Sequence, residues 1–367
     1  MRLKCVLGFI TLFALAAWPG VQPACAASPA ASGQEKAANP ADLRIYVIDV
    51  EGGQSTLIVT PARQSLLVDT GWAGFNGRDT ERILQAAKLA GIDRINALLI
   101  THYHADHVGG VPQLAERIPI DTFFDHGPDV ENSPDARKLY AAYLKTAQKG
   151  QHRVVKPGGI ILLGGVKVVV VAAAGRRLRK PLRGAGQTNP YCSETKPIEP
   201  DPSENAQSSG IVLTYGKFRF VDLGDLTWNK EIALMCPVNR LGRADVFLAS
   251  HHGESISNSK ALVWALEPRV TIIDNAAKKG GTPEAWKRIY EAPGRERIWE
   301  IHYSVEGGNE ANAEPDYIAN SVDQPDQGNY IEVSAHPDGG FTVTNSRNGF
   351  KVNYPPRSLP AQSITRE

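Results

Sequence analysis

The chain has no apolar run long enough to form a permanent membrane span, no surplus of charge of either sign, and only four cysteines among its 367 residues. Each shortage excludes something. The N-terminal apolar stretch from Cys5 to Trp18 falls short of the ~20 residues that cross a bilayer, which argues against a stable anchor. The 40 basic and 39 acidic residues nearly cancel, so no global field draws the protein onto nucleic acid or an anionic membrane. Net charge therefore does not indicate nucleic acid as a partner, and any anionic substrate must be held locally. With 42% hydrophobic residues the chain can still bury a large core, so disorder of the whole is excluded.

The N-terminus reads as an address. Arg2 and Lys4 precede the apolar run, Pro19-Gly20 breaks it, and small residues surround Ala24-Cys25-Ala26-Ala27. A secretory signal peptide over 1–27 is expected, with export to an oxidising compartment, the periplasm. Removing it discards Cys5 and Cys25. Cys192 and Cys236 are then the one pair that could bridge, and spacing alone leaves a disulfide and two free thiols both open.

Residues 28–42 are rich in Ala, Pro and small polar types and read as a flexible linker. One large domain is expected over 43–355, followed by a short tail over 356–367. Short β-branched runs begin it: Arg44 to Val50, Ser55 to Thr60 and Ser65 to Asp69. A helix is expected from Thr80 to Ala90, and the strand Ile95 to Ile100 leads into a His-rich turn. Further helices are expected over Val108 to Arg117 and Ser133 to Lys149, with a strand at Asp121 to Phe124. After strands at Gly159 to Leu163 and Val166 to Ala173, the segment Arg176 to Glu204 shows no periodicity and suggests a substrate lid. A hairpin from Ile211 to Leu223 then leads to strands at Val246 to Ala249 and Val270 to Ile273, with helices between. Strands also flank an Asp338-Gly339-Gly340 turn near the C-terminus. Strand runs followed by strand–helix units, in two similar halves, imply two sheets covered outside by helices.

Chemistry is concentrated in Thr101-His102-Tyr103-His104-Ala105-Asp106-His107. Three imidazoles and a carboxylate so close together make poor core and good metal ligands, with zinc, iron and manganese all chemically suited. Alternate side chains of one loop can direct His102 and His104 at one ion, and Asp106 and His107 at another. More ligands must come from elsewhere. Asp69, in Asp69-Thr70-Gly71, could orient a ligand from behind. Asp225, after Asp222-Leu223-Gly224, could bridge two cations. His251 and His252 end a strand next to Gly253, where one could bind metal and the other touch substrate.

In this order, these motifs resemble the metallo-β-lactamase superfamily. The resemblance spans roughly Leu43 to Ile301 and implies an α+β fold, an αββα sandwich, here with added C-terminal antiparallel strands. It also implies two divalent cations, zinc with manganese or iron as alternatives, and hydrolysis by a metal-bound hydroxide. Carried across, His102 and His104 hold the first ion and Asp106 and His107 the second. Asp225 bridges, His251 or His252 completes the second site, and Asp106 and Asp225 take the catalytic roles. A third-motif histidine is missing, since only His126 and His152 lie between the first cluster and Asp225. Asn205-Ala206-Gln207-Ser208, Tyr215-Gly216, Gly224-Asp225 and His251-His252-Gly253 are similar to the C-terminal domain of ComEC-type competence proteins, which points to phosphodiester substrates. Glu254 replaces that branch's usual Ser, and Gly281-Thr282-Pro283 replaces its common Gly-His-Pro.

Asn205, Ser208, His126 and His302 remain candidates for substrate contact or an extra ligand, while His152 and His336 read as surface residues. The expected substrate is a small-molecule or polymer-linked ester. The rival readings are a β-lactam or lactone hydrolase, or a catalytically idle metal- or ligand-binding protein on the same fold.

Overall fold

The computed structural model describes residues 42–323 and 327–357. The expected signal peptide, nearly all of the linker and most of the tail lie outside these. Among the described residues no helix is long and apolar enough to cross a membrane.

The chain first lays down strands β1 (Leu43–Val47), β2 (Thr56–Val59), β3 (Ser65–Val68), β4 (Ile95–Leu99), β5 (Ile120–Asp125) and β6 (Gln151–Val154). Between them run α1 (Arg78–Ala90), α2 (Ala105–Val108), α3 (Val111–Leu114) and α4 (Pro134–Ala147). A second set follows: β7 (Ile160–Leu163), β8 (Val166–Ala173), β9 (Arg176–Arg177), β10 (Gly210–Tyr215), β11 (Phe218–Asp222), β12 (Val246–Leu248), β13 (Val270–Ile273), β14 (Arg297–His302) and β15 (Ile318–Asn320). Its helices are α5 (Trp228–Met235), α6 (Lys260–Leu266) and α7 (Pro283–Tyr290). Strands β16 (Ile331–Ala335), β17 (Phe341–Asn345) and β18 (Lys351–Tyr354) then return to the first sheet beside β1. The result is two nine-stranded sheets, ordered β18-β17-β16-β1-β2-β3-β4-β5-β6 and β15-β14-β13-β12-β11-β10-β8-β7, with β9 paired to β8.

The layering follows from period-two side chains that are apolar on both faces. On β1, Leu43, Ile45 and Val47 enter the core between the sheets, while Tyr46 faces the outer helices. Likewise Val168 and Val170 point inward from β8, and Val169 and Val171 outward. Ile83, Ala86 and Ala90 of α1 and Tyr143 of α4 cover the first sheet, and Leu234, Leu262 and Ile289 of α5, α6 and α7 cover the second. This α+β sandwich, with its three extra C-terminal strands, is the metallo-β-lactamase fold.

Some expectations need correction. The helix read over Val108 to Arg117 is two short ones, α2 and α3, separated at Gly109-Gly110. A Cβ at Gly110 would lie 2.3 Å from the carbonyl oxygen of Thr70, so close packing of that turn requires glycine. β6 was not expected, because every residue of this edge strand is exposed and no alternation marks it. Nor is Arg176 to Glu204 a free lid. Cys192 is disulfide-bonded to Cys236 at the end of α5, and Asn189 Nδ2 donates to the carbonyls of Met235 (3.1 Å) and Ala261 (2.8 Å). Trp228 Nε1 donates to Lys196 O at 2.9 Å, so the segment is a strap fastened along its length. The tail also begins docked: Arg357 pairs with Asp245 at 3.1 Å.

Glu300 on β14 gives the fold a testable pH dependence. It is fully buried, one oxygen accepts from Ala313 N at 2.7 Å, and burial pushes its pKa from 4.5 up to about 8. The folded protein therefore holds a proton there that the unfolded chain has released, and this group's contribution to stability falls as pH rises from about 4.5 to about 8. Glu300→Gln removes that dependence. Its stability relative to the parent should rise by roughly 3 kcal/mol between about pH 5 and about pH 8, read by urea unfolding. A difference independent of pH would contradict this.

Candidate metal centre

Parallel strands bring the reactive residues to one edge. β3, β4 and β5 run parallel in the first sheet, as do β11, β12, β13 and β14 in the second. Asp69 follows β3, the His-rich turn follows β4, Asp225 follows β11, His251 and His252 follow β12, and Asp274 follows β13. Open sheets place ligands beyond the carboxyl ends of their parallel strands in this way.

Asp225 lies at the centre. Its Oδ2 is 3.3 Å from His107 Nε2, 3.5 Å from His251 Nε2 and 3.8 Å from His102 Nε2, and its Oδ1 is 3.6 Å from His252 Nε2. Asp106 Oδ2 is 3.6 Å from His107 Nε2 and 3.5 Å from His252 Nε2. Two compact groups result, His102, His107 and Asp225 in one and Asp106, His107 and His252 in the other, with ligand atoms within 4.8 Å of one another. His104 stands beside the first, its Nδ1 3.0 Å from His102 Nε2. Residues from three separate strand ends thus converge, and of the paired histidines it is His252 that joins Asp106 and His107.

Three of the nitrogens facing away from the centre are tethered: His107 Nδ1 meets Asp69 Oδ2 at 2.7 Å, His102 Nδ1 meets Thr101 Oγ1 at 3.0 Å and His104 Nε2 meets Glu131 Oε1 at 3.0 Å. His252 Nδ1 lies 3.5 Å from Asp274 Oδ2 and has no hydrogen-bond partner among the described residues. Such tethers fix the tautomer and ring orientation of metal-binding imidazoles. By contrast His107 Nε2, His252 Nε2 and Asp225 Oδ1 are buried and have no hydrogen-bond partner among the described residues. Inward-facing lone pairs backed by outer tethers are the donor set a divalent cation needs, so these residues fit one.

The charges are correspondingly unbalanced. Burial opposes charge on His107, yet the carboxylates of Asp225, Asp106 and Asp69 raise its pKa well above the usual imidazole value. Against burial, His107, His252 and His251 hold Asp225 well below the usual carboxylate range. Against burial again, Asp225 and Asp274 push His252 up to about 9. Burial and the neighbouring His107 lower His102 well below its ordinary value. A bound cation would compete with protons for these nitrogens.

The turn carrying the paired histidines is strained. Both take left-handed backbone conformations, with φ of 54° at each, which costs of order 1–3 kcal/mol per residue. His251 N donates to Gly224 O at 3.0 Å and Gly281 N donates to His252 O at 2.8 Å, which holds the strained turn in place. The two rings consequently diverge. His252 enters the Asp106 group, while His251 lies beside Asp225 with Asn205 Nδ2 at 3.4 Å from its Nε2. Burial lowers the pKa of His251, against the pull of Asp225. Asn205 Oδ1 and Ser208 Oγ are buried nearby on the chain without hydrogen-bond partners among the described residues.

Two other candidates are held elsewhere. His126 is buried with its Nε2 on Glu204 at 2.9 Å and its ring 4.7 Å from that of Tyr103, so it supports the cluster loop rather than entering the metal groups. His302 bonds Asp49 at 2.8 Å in a separate group with Glu51. His152 bonds Asp125 from the exposed edge strand β6, and His336 is exposed beside Asp42 at 2.9 Å. The sequence reading missed Glu131, Glu204, Asp274 and Lys279. Glu204 accepts from Tyr103 N at 3.1 Å and Val130 N at 2.8 Å, so the far end of the strap fixes the backbone between His102 and His104.

The family model of the metallo-beta-lactamase superfamily matches residues 48–176. This match, covering the His-rich turn, supports membership of that superfamily, whose members are mostly metal-dependent hydrolases. A hydroxyacylglutathione hydrolase of Xanthomonas campestris is 37% identical over 78 residues, 21% of this chain and 27% of that protein. An atrochrysone carboxyl ACP thioesterase of Aspergillus fumigatus is 36% identical over 85 residues, 22% of this chain and 19% of that one. The chain thus spans about a quarter or less of these relatives' length. The solved structure of the metallo-beta-lactamase fold protein YhfI from Bacillus subtilis aligns with 71% of this chain and 95% of its own, at 12% identity and a TM-score of 0.44.

Proposed function

We propose that the protein is an exported hydrolase that uses two divalent cations, zinc in the first instance, to cleave phosphodiester or related phosphoester bonds. The observation that carries this reading is the position of Asp225, one carboxylate within 3.8 Å of four imidazole nitrogens, three of which belong to the two adjoining groups. His102, His104 and Asp225 would hold one cation, and Asp106, His107, His252 and Asp225 the other. When bound, the pair would supply Lewis acidity and a nucleophile from water near neutral pH.

The chain's own residues do the rest. Asp69, Thr101 and Glu131 keep the imidazoles of His107, His102 and His104 turned inward, so the site needs little rearrangement during reaction. Asp106, placed beside His107 and His252, would be the carboxylate to take a proton from the attacking water. Where a third-motif histidine is missing, Asn205 and His251 present an amide N–H and a weakly basic ring beside Asp225, placed to bind a substrate oxygen. That pairing, with Ser208 behind it, supports the ComEC-type resemblance and so a phosphoester. The disulfide at Cys192–Cys236 accords with life in an oxidising compartment and supports export to the periplasm.

Bis-p-nitrophenyl phosphate, nitrocefin and a simple lactone, each offered to zinc- and manganese-loaded protein, test the reading. The phosphodiester should be the preferred substrate by kcat/KM. Faster turnover of nitrocefin or the lactone would replace it with the β-lactam or lactone alternative.

A further inference from the structure

Lys279 lies in the hairpin after β13, and neither the motif series nor the reading above uses it. Its ammonium bonds Asp106 Oδ2 and the carbonyl of Gly52, and stands 5.1 Å from the centre of the Trp72 ring. The side chain is 35% exposed, so it reaches the centre from the solvent side. Its position is fixed by the two sequence departures noted above. Glu254 accepts from Gly280 N at 3.1 Å, and Thr282 Oγ1 donates to Gly253 O at 3.1 Å, clamping the hairpin to the strained His251-His252 turn. A Cβ at Gly280 would lie 2.3 Å from His252 O, so the clamp is tight.

The oxygen that Lys279 bonds is the one facing His107 Nε2 and His252 Nε2 at 3.6 and 3.5 Å. A cation held by that group claims the same oxygen and leaves the ammonium without its counter-ion. Gly52 O and the face of Trp72 still restrain it beside the metal position. Two positive charges side by side repel unless an anion lies between them. We propose that Lys279 selects the substrate, receiving an anionic oxygen of a phosphodiester next to the cation of the Asp106, His107 and His252 group. This rests on the phosphoester reading and deepens it: a neutral ester offers the ammonium only a carbonyl dipole, whereas a phosphodiester carries the charge that both neighbours need.

The test uses inorganic phosphate as probe, with full-length protein loaded with zinc. Phosphate affinity is measured by calorimetry, and zinc content by mass spectrometry, for the parent, Lys279→Met and Lys279→Arg. Lys279→Met should keep its zinc and lose about tenfold in phosphate affinity, while Lys279→Arg retains most of it. Because binding is reciprocal, phosphate should tighten zinc in the parent and do so less in Lys279→Met. The kcat/KM ratio of bis-p-nitrophenyl phosphate to the neutral p-nitrophenyl acetate should fall by a similar factor. Unchanged phosphate affinity in Lys279→Met overturns the proposal. So does loss of zinc from that variant, which would make the side chain part of the metal cradle. If phosphate binding responds as expected while bis-p-nitrophenyl phosphate is not cleaved, the anion site stands and the phosphodiester reading fails.

Discussion

Asp225→Ala should lower kcat/KM on any substrate by at least about a thousandfold while leaving the fold intact. The factor corresponds to the several kcal/mol of charge stabilisation that a properly held metal pair supplies. Asp225 faces imidazoles of both groups, with Oδ2 toward His102, His107 and His251 and Oδ1 toward His252. Without it, His102 and His104 keep no anionic partner in their group. The second group retains Asp106 and should still bind one cation. The side chain lies outside the three apolar layers, so circular dichroism should be unchanged. Activity within tenfold of the parent would show that the two groups do not act as one centre.

Chelation should have an effect almost as large, and on stability as well as turnover. In the protein without cations, His107 Nε2, His252 Nε2 and Asp225 Oδ1 are buried without hydrogen-bond partners among the described residues, an arrangement that costs free energy until something binds. A ligand at about a thousand times its dissociation constant stabilises the folded state by about 4 kcal/mol. Dialysis against a chelator should therefore abolish hydrolysis and lower Tm by several degrees, and zinc should restore both. The pH dependence has a definite sign. Neighbouring carboxylates raise the pKa of His107, so the cation must displace a proton there, and its apparent affinity should weaken as pH falls. A Tm indifferent to chelator at neutral pH would contradict this.

Much of this was legible in the sequence because the signals are local. Short apolar and β-branched runs mark β1, β2, β3 and β8, and the His-rich turn is continuous in the chain. Asp225 and the paired histidines stand at the ends of apolar strands, which suffices to place them on a common edge. What was hidden depends on contacts between distant residues. Glu204 reaches Tyr103 across 101 positions and Lys279 reaches Asp106 across 173, and neither carries a local pattern. Glu131 and Asp274 look like ordinary loop acids until an imidazole is found against them. His126 misled for the opposite reason: a histidine at a strand end on the correct edge has the right address, yet Glu204 and Tyr103 occupy it. The strap from Arg176 to Glu204 read as a lid because aperiodic sequence does not reveal its anchors, the disulfide among them.

The claim beneath all of these expectations is that imidazoles and carboxylates from three strand ends form one binuclear centre. Cation content of the purified protein, measured by mass spectrometry after zinc loading and exhaustive dialysis, tests it most directly. Occupancy approaching one cation for each of the two groups is the expected result, falling on Asp225→Ala substitution. Well under one per chain in the unaltered protein would mean a fold that keeps the ligands without the metal, and the hydrolase described here would not exist.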